Sequence, residues 1–116
     1  MNIINLSEDP QFEQYAYTWV GDFHSYLFRL VDSNGTAVPL TGGTLAITYT
    51  NVYTGAAYTF PSGTSTLTPQ YATEGLLTLG LPSAFPTVGN VRVTVTLTVG
   101  AVVRRFGPLY FYVQQP

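Results

Sequence analysis

Cysteine is absent from this chain, which removes disulfides, thiolate metal sites and a thiol nucleophile together. Lysine is absent as well, and the only basic side chains are Arg29, Arg92, Arg104 and Arg105. Charged residues make up 9% of the sequence, against about 25% in an ordinary soluble domain. Four arginines set against six acids cannot supply the many phosphate contacts on which nucleic-acid binding rests, so no nucleic-acid partner is expected. No apolar run reaches the roughly 18 residues that a membrane-spanning helix needs, and no membrane partner is expected. The first twenty residues lack a basic stretch followed by an apolar one, so no ordinary secretory signal is expected there.

What is present is apolar, aromatic and patterned. Hydrophobic residues are 46% and aromatics 15% of 116 residues, enough for one domain with one core. The pattern has period two almost throughout, the signature of half-buried strands. In Val91–Val99 the apolar Val91, Val93, Val95, Leu97 and Val99 alternate with Arg92 and three threonines. Similar alternation marks His24–Val31, Thr44–Thr50 and Gly75–Leu81. AAYTF at 56–60 reads as a short returning strand, and VVRRF at 102–106 leads through Gly107-Pro108 to a final aromatic strand, LYFYV at 109–113. Asp32-Ser33-Asn34-Gly35 and Asn51–Gly55 are turn signals, because Asn and Gly tolerate the positive φ of tight turns. Residues 61–70 read as a Ser/Thr/Pro-rich loop with at most a short edge strand, and Ser7–Tyr15 as one helical turn. Seven or eight short antiparallel strands separated by turns describe an all-β, immunoglobulin-like sandwich or a small barrel. Phe28, Leu45, Ile47, Leu79, Val91, Val93, Val95 and Leu97 are the expected core.

Catalytic and metal-binding constellations do not emerge. His24, the sole histidine, falls in phase with Tyr26 and Phe28 on a strand and reads as structural. Asp22 with His24 supplies two of the three or four ligands that a metal site requires. The acids lie at turns and near the N-terminus, where they ordinarily act as solvated caps. A non-enzymatic protein without metal or cofactor is therefore expected. Arg104-Arg105 is the only basic cluster, and reads either as a contact to a partner carboxylate or as a solvated strand end. Nine tyrosines supply amphipathic surface of the kind enriched at interfaces. A surface poor in charge and rich in hydroxyls suits permanent assembly, because little self-repulsion opposes it. An oligomer or a repeating lattice is expected.

From Gly21 to Val113 the order of segments resembles the immunoglobulin-like N-terminal domain of phage baseplate upper proteins. The resemblance lies in Gly21-Asp22 before a strand, the run FRLVDSNGTAVPLTGGTLAI from Phe28 to Ile47, Gly75–Leu79, the Val91–Val99 strand with its turn at Gly100, and a closing strand to Val113. It implies an immunoglobulin-like β-sandwich over residues 21–116, preceded by an N-terminal arm over 1–20. It also implies a structural subunit of a phage virion, a tail or baseplate adaptor or a capsid decoration protein, whose partners are other virion proteins. The arm carries Ile3, Ile4, Leu6, Phe12, Tyr15, Tyr17 and Trp19, and an extended arm can add a strand to a neighbour's sheet. These residues, with Arg104 and Arg105, are the expected partner contacts. Tyr15–Val20 alternatively forms the first strand of the chain's own sheet. A carbohydrate- or receptor-binding module, with tyrosines as stacking platforms, is the competing function.

Overall fold

The computed structural model describes residues 3–60 and 65–116. Eight strands run in the order β1 (Ile3–Ser7), β2 (Gln14–Trp19), β3 (Ser25–Val31), β4 (Thr44–Asn51), β5 (Thr66–Tyr71), β6 (Leu76–Gly80), β7 (Gly89–Val99) and β8 (Val102–Gln114). A single 3-10 turn, Ala72–Glu74, lies between β5 and β6. Among the described residues no helix is long and apolar enough to cross a membrane.

The strands form two four-stranded sheets, β1-β3-β6-β5 and β2-β8-β7-β4. Together they make a β-sandwich, because alternate residues of both sheets turn inward onto one shared core. Phe28 and Leu30 of β3, Leu77 and Leu79 of β6, Val91, Val93, Val95 and Leu97 of β7, and Leu109, Phe111 and Val113 of β8 are all buried in it. β7 lies between β4 and β8, which is why its alternation reads so cleanly. Leu45 and Ile47 of β4 alternate in the same way but are only half-buried, a departure from the expected core. Their strand is at the edge of its sheet, so one flank of each side chain has no neighbouring strand over it.

The two turns anticipated from Asx and Gly form as such. The Asp32 Oδ1 accepts the backbone N–H groups of Asn34 and Thr36, each at 2.9 Å. Asn51 Oδ1 accepts those of Tyr53 and Thr54. Ser7–Tyr15 contains a reverse turn closed by Phe12 N–H to Asp9 C=O at 3.0 Å rather than a helical turn, since β1 and β2 claim the residues on either side. The run at 56–60 makes one bridge, Thr50 to Ala57, instead of a full strand. Of the expected loop, 61–64 lie outside the described residues, and Thr66–Tyr71 forms edge strand β5, with Pro69 where an edge tolerates a missing donor. The runs at 102–106 and 109–113 join into one strand, β8, with a register shift opposite Val93/Val95. Gly107 permits the shift: its φ is +132°, and a Cβ there would lie 2.9 Å from the Val93 carbonyl oxygen.

Two pairings differ from the all-antiparallel expectation. β1 runs parallel to β3, with Leu6 opposite Leu30, and β2 runs parallel to β8, with Tyr15 opposite Tyr110. Parallel neighbours need a crossover, and here β2, placed in the second sheet, carries the chain between β1 and β3. The segment expected as an arm thus contributes a strand to each layer, and Leu6 is fully buried in the core.

Burial has a titratable consequence at Tyr49 on edge strand β4. Tyr49 stacks edge-on against Phe60 with centroids 5.1 Å apart, and its hydroxyl meets Ser65 Oγ at 2.6 Å. Desolvation pushes its phenol from 10.0 up to about 12. The folded state therefore prefers neutral Tyr49, and that preference stabilises the fold fully below pH about 10, where the unfolded phenol is also protonated. It is lost between pH about 10 and about 12, a fall on the order of 2 kcal/mol. Tyr49→Phe is expected to reduce that fall in urea denaturation measured from pH 8 upward, whereas an unchanged profile would place the hydroxyl in solvent.

Candidate functional site

The outward face of the β2-β8-β7-β4 sheet is where exposed aromatic surface concentrates. Strand parity decides its membership. On β2, Ala16 and Thr18 point inward, so Tyr15, Tyr17 and Trp19 point outward and are exposed. On β8, Leu109, Phe111 and Val113 fill the core, which turns Tyr110 and Tyr112 outward. Parallel pairing then sets the two strands side by side, Tyr15 opposite Tyr110 and Tyr17 opposite Tyr112.

The four rings form a zigzag stack. Tyr110 and Tyr15 have centroids 5.7 Å apart, Tyr15 and Tyr112 5.8 Å, and Tyr112 and Tyr17 5.2 Å, with interplanar angles of 20–21°. Rings this close and this nearly parallel cannot lie side by side in one plane, so their faces are offset onto one another. The stack presents offset rings and their hydroxyls to solvent. Tyr17 remains 72% exposed and Tyr15 52%, so the stack is an accessible feature. The Tyr15 hydroxyl donates to Glu13 Oε2, and that hydrogen bond, ahead of the other causes, holds the Tyr15 phenol up at about 12.

The aromatic surface continues across the sheet. Tyr112 pairs with Asn90, whose Nδ2 donates to the Tyr53 hydroxyl at 3.2 Å. In the next row Tyr110 pairs with Arg92, and Arg92 with Thr50. Beyond them the face is paved by threonines, Thr48 opposite Thr94 and Thr44 opposite Thr98, with Ala46 opposite Thr96. Between this face and the Glu8–Glu13 turn lies a groove of about 470 Å³, with Arg92, Arg105, Pro108 and Tyr110 among its lining residues.

The residues expected as partner contacts separate into several places. Tyr15, Tyr17 and Trp19 come together on this face. Ile3 is exposed on the outside of the other sheet, Ile4 packs partly against the core and Leu6 belongs to it. Phe12 is exposed at the turn between β1 and β2, beside the Asp32–Gly35 turn. Arg104 and Arg105 part company, as consecutive strand residues must. Arg104 Nε donates to Glu8 Oε2 at 2.9 Å while its Nη2 donates to Glu8 Oε1, and the guanidinium lies 5.8 Å from the Phe106 ring centroid. It ties β8 to the β1–β2 turn. Arg105 stays exposed beside the groove. Tyr110, Tyr112, Arg92 and Tyr53 are the members of the face that the sequence reading did not single out. The first two alternate with the buried Leu109, Phe111 and Val113 in LYFYV, a local signal that could have found them but says nothing of their neighbours.

His24 Nε2 and Asp22 Oδ2 are 3.5 Å apart at the surface, and among the described residues no group of three or more His, Asp or Glu side chains comes together to hold a metal ion. No family model matches the chain, and no curated protein matches it.

Proposed function

We propose that this protein is a non-enzymatic structural subunit of a larger particle, a phage virion as the resemblance over residues 21–113 implies, and that it docks through the outer face of the β2-β8-β7-β4 sheet. The observation that carries this reading is the exposed tyrosine stack beside a threonine-paved surface on which Arg92 and Arg105 are the outward-pointing charges. Aromatic residues enriched and charges depleted are what distinguish the centre of a protein interface from ordinary surface. The immunoglobulin-like assignment belongs to the same reading. It is supported by the strand orders β1-β3-β6-β5 and β8-β7-β4, which follow those of that fold; the departures are β1, which runs parallel to β3, and the parallel β2 added beside β8.

The stack also bears on the competing function. A sugar ring stacks on one broad, flat aromatic face, whereas here the rings overlap one another in part and at 20–21° to each other. What the surface offers is a row of offset rings and hydroxyls, which suits a protein partner better than a glycan.

The test is sedimentation of the purified chain over a wide concentration range, alone and mixed with phage particles that lack it. Association is expected, and the double substitution Tyr17→Thr with Tyr112→Thr is expected to weaken it by roughly 30-fold, the loss of about 2 kcal/mol for two interface tyrosines. Threonine keeps strand propensity, so folding should survive with a modest drop in melting temperature. A strict monomer that binds no such particle would overturn the reading.

A further inference from the structure

We propose that the groove between the Glu8–Glu13 turn and the outer face of β7 and β8 receives an extended, carboxylate-bearing segment of a protein partner, held by Arg92 and Arg105. This rests on the docking reading above and gives it a chemistry.

The argument starts from which charges are already engaged. Among the described residues the ion pairs are Asp22 with His24 and Glu8 with Arg104. Of the two acids on the rim of the groove, Glu8 is held by Arg104 and Glu13 accepts the Tyr15 hydroxyl. Arg92 and Arg105 line the same groove with no carboxylate on either guanidinium. Arg92 points outward from β7, opposite Tyr110, and Arg105 sits opposite Thr96. The two anchor points are therefore four residues apart along β7, roughly 13 Å at strand rise, on one face of one sheet.

That spacing selects a partner. In an extended chain, residues i and i+4 project from the same face at the same repeat, so two acids four apart can each meet one guanidinium fork. Guanidinium binds carboxylate bidentately. Pro108 and Tyr110 give the segment an apolar floor, and the tyrosine stack continues it toward Trp19. A polyanion such as nucleic acid is disfavoured, because its binding rests on many phosphate contacts and this groove offers two guanidinium groups, Arg92 and Arg105. A segment with two carboxylates matches the cations and leaves the rim uncrowded.

The experiment titrates the whole isotopically labelled chain with the blocked peptide Thr-Glu-Thr-Val-Thr-Glu-Thr, followed by NMR. Saturable shifts are expected at the Arg92 and Arg105 Nε–H signals and at Tyr110. Arg92→Gln and Arg105→Gln are each expected to weaken binding about fivefold, the effect of losing one partly exposed charged contact. The same peptide with Gln at both Glu positions should not bind. Equal binding of the Gln peptide, shifts centred elsewhere, no saturable shift at millimolar peptide, or tighter binding of a single-stranded oligothymidylate would each overturn the proposal. Particle sedimentation separates the two levels. If both arginine variants sediment with particles like the parent chain, the groove assignment fails while docking stands. If peptide binds as expected but the parent chain never joins particles, the virion reading fails and the groove remains.

Discussion

Phe111→Ala is expected to lower folding stability by about 3–5 kcal/mol, the cost of deleting a fully buried aromatic ring and leaving a cavity behind. Phe111 has no exposed surface and occupies the middle of the aromatic chain that joins the two sheets. Its ring meets Tyr26 of β3 edge-on at 5.0 Å and Phe85 at 5.1 Å, and Phe85 in turn meets Phe60 at 5.4 Å. Small domains have only about 5–15 kcal/mol of stability in total, so the variant should be close to unfolding at room temperature. Urea denaturation measures the effect. Phe111→Leu, which keeps most of the volume, should lose much less, and a loss below about 1 kcal/mol for alanine would place the ring outside a packed core. Because Tyr110 and Tyr112 lie on the opposite face of the same strand, any change in docking by this variant would come from global unfolding rather than from lost contact.

Removing Met1–Ser7 is expected to unfold the chain or leave it barely stable. The deletion takes away β1, and with it Leu6, which is fully buried against Leu30 and the remaining core. Leu6→Ala alone should cost about 2–5 kcal/mol by the cavity argument. The deletion adds to that the ladder between Ile3–Ser7 and Leu27–Val31, whose β3 partners would return to water at a sheet edge. Thermal melts of Leu6→Ala and of the truncated chain check this together. A truncated chain that melts at the parent temperature would show that the strand contributes nothing to the core. It follows that truncation cannot separate assembly from folding, and that substitutions of exposed Ile3, Tyr15 and Tyr17 can.

Much of this organisation was legible in the residues, and the limits of legibility have a physical cause. Alternation identified the inward faces of β3, β6 and β7 because period two fixes which side chains share a face. It did not reveal how well each face is covered, and so Leu45 and Ile47 carry the same signal as Val93 and Val95 while sitting half-buried on an edge strand. Arg104-Arg105 looks like one cluster in the sequence although adjacent strand residues point apart, and only the partner of Arg104, Glu8, distant in sequence, reveals that one of the two is occupied. The tyrosine stack is the clearest case. Tyr15 and Tyr17 were visible as exposed-type residues, and LYFYV has a clear parity, but their meeting depends on a parallel pairing between segments near opposite ends of the sequence, for which no local turn gives a signal.

That same pairing has a kinetic side. β2 is made early in synthesis, yet the strand it lies against, β8, is made after every other strand. Until then β2 holds Tyr15, Tyr17 and Trp19 on a strand with two unsatisfied edges, and contacts of such long sequence separation form slowly. A nascent chain in that interval can lend its β2 to the finished β8 of another copy, making in trans the ladder it would later make with itself. High expression should therefore favour strand-exchanged dimers, and slower synthesis or dilute refolding should favour the closed monomer.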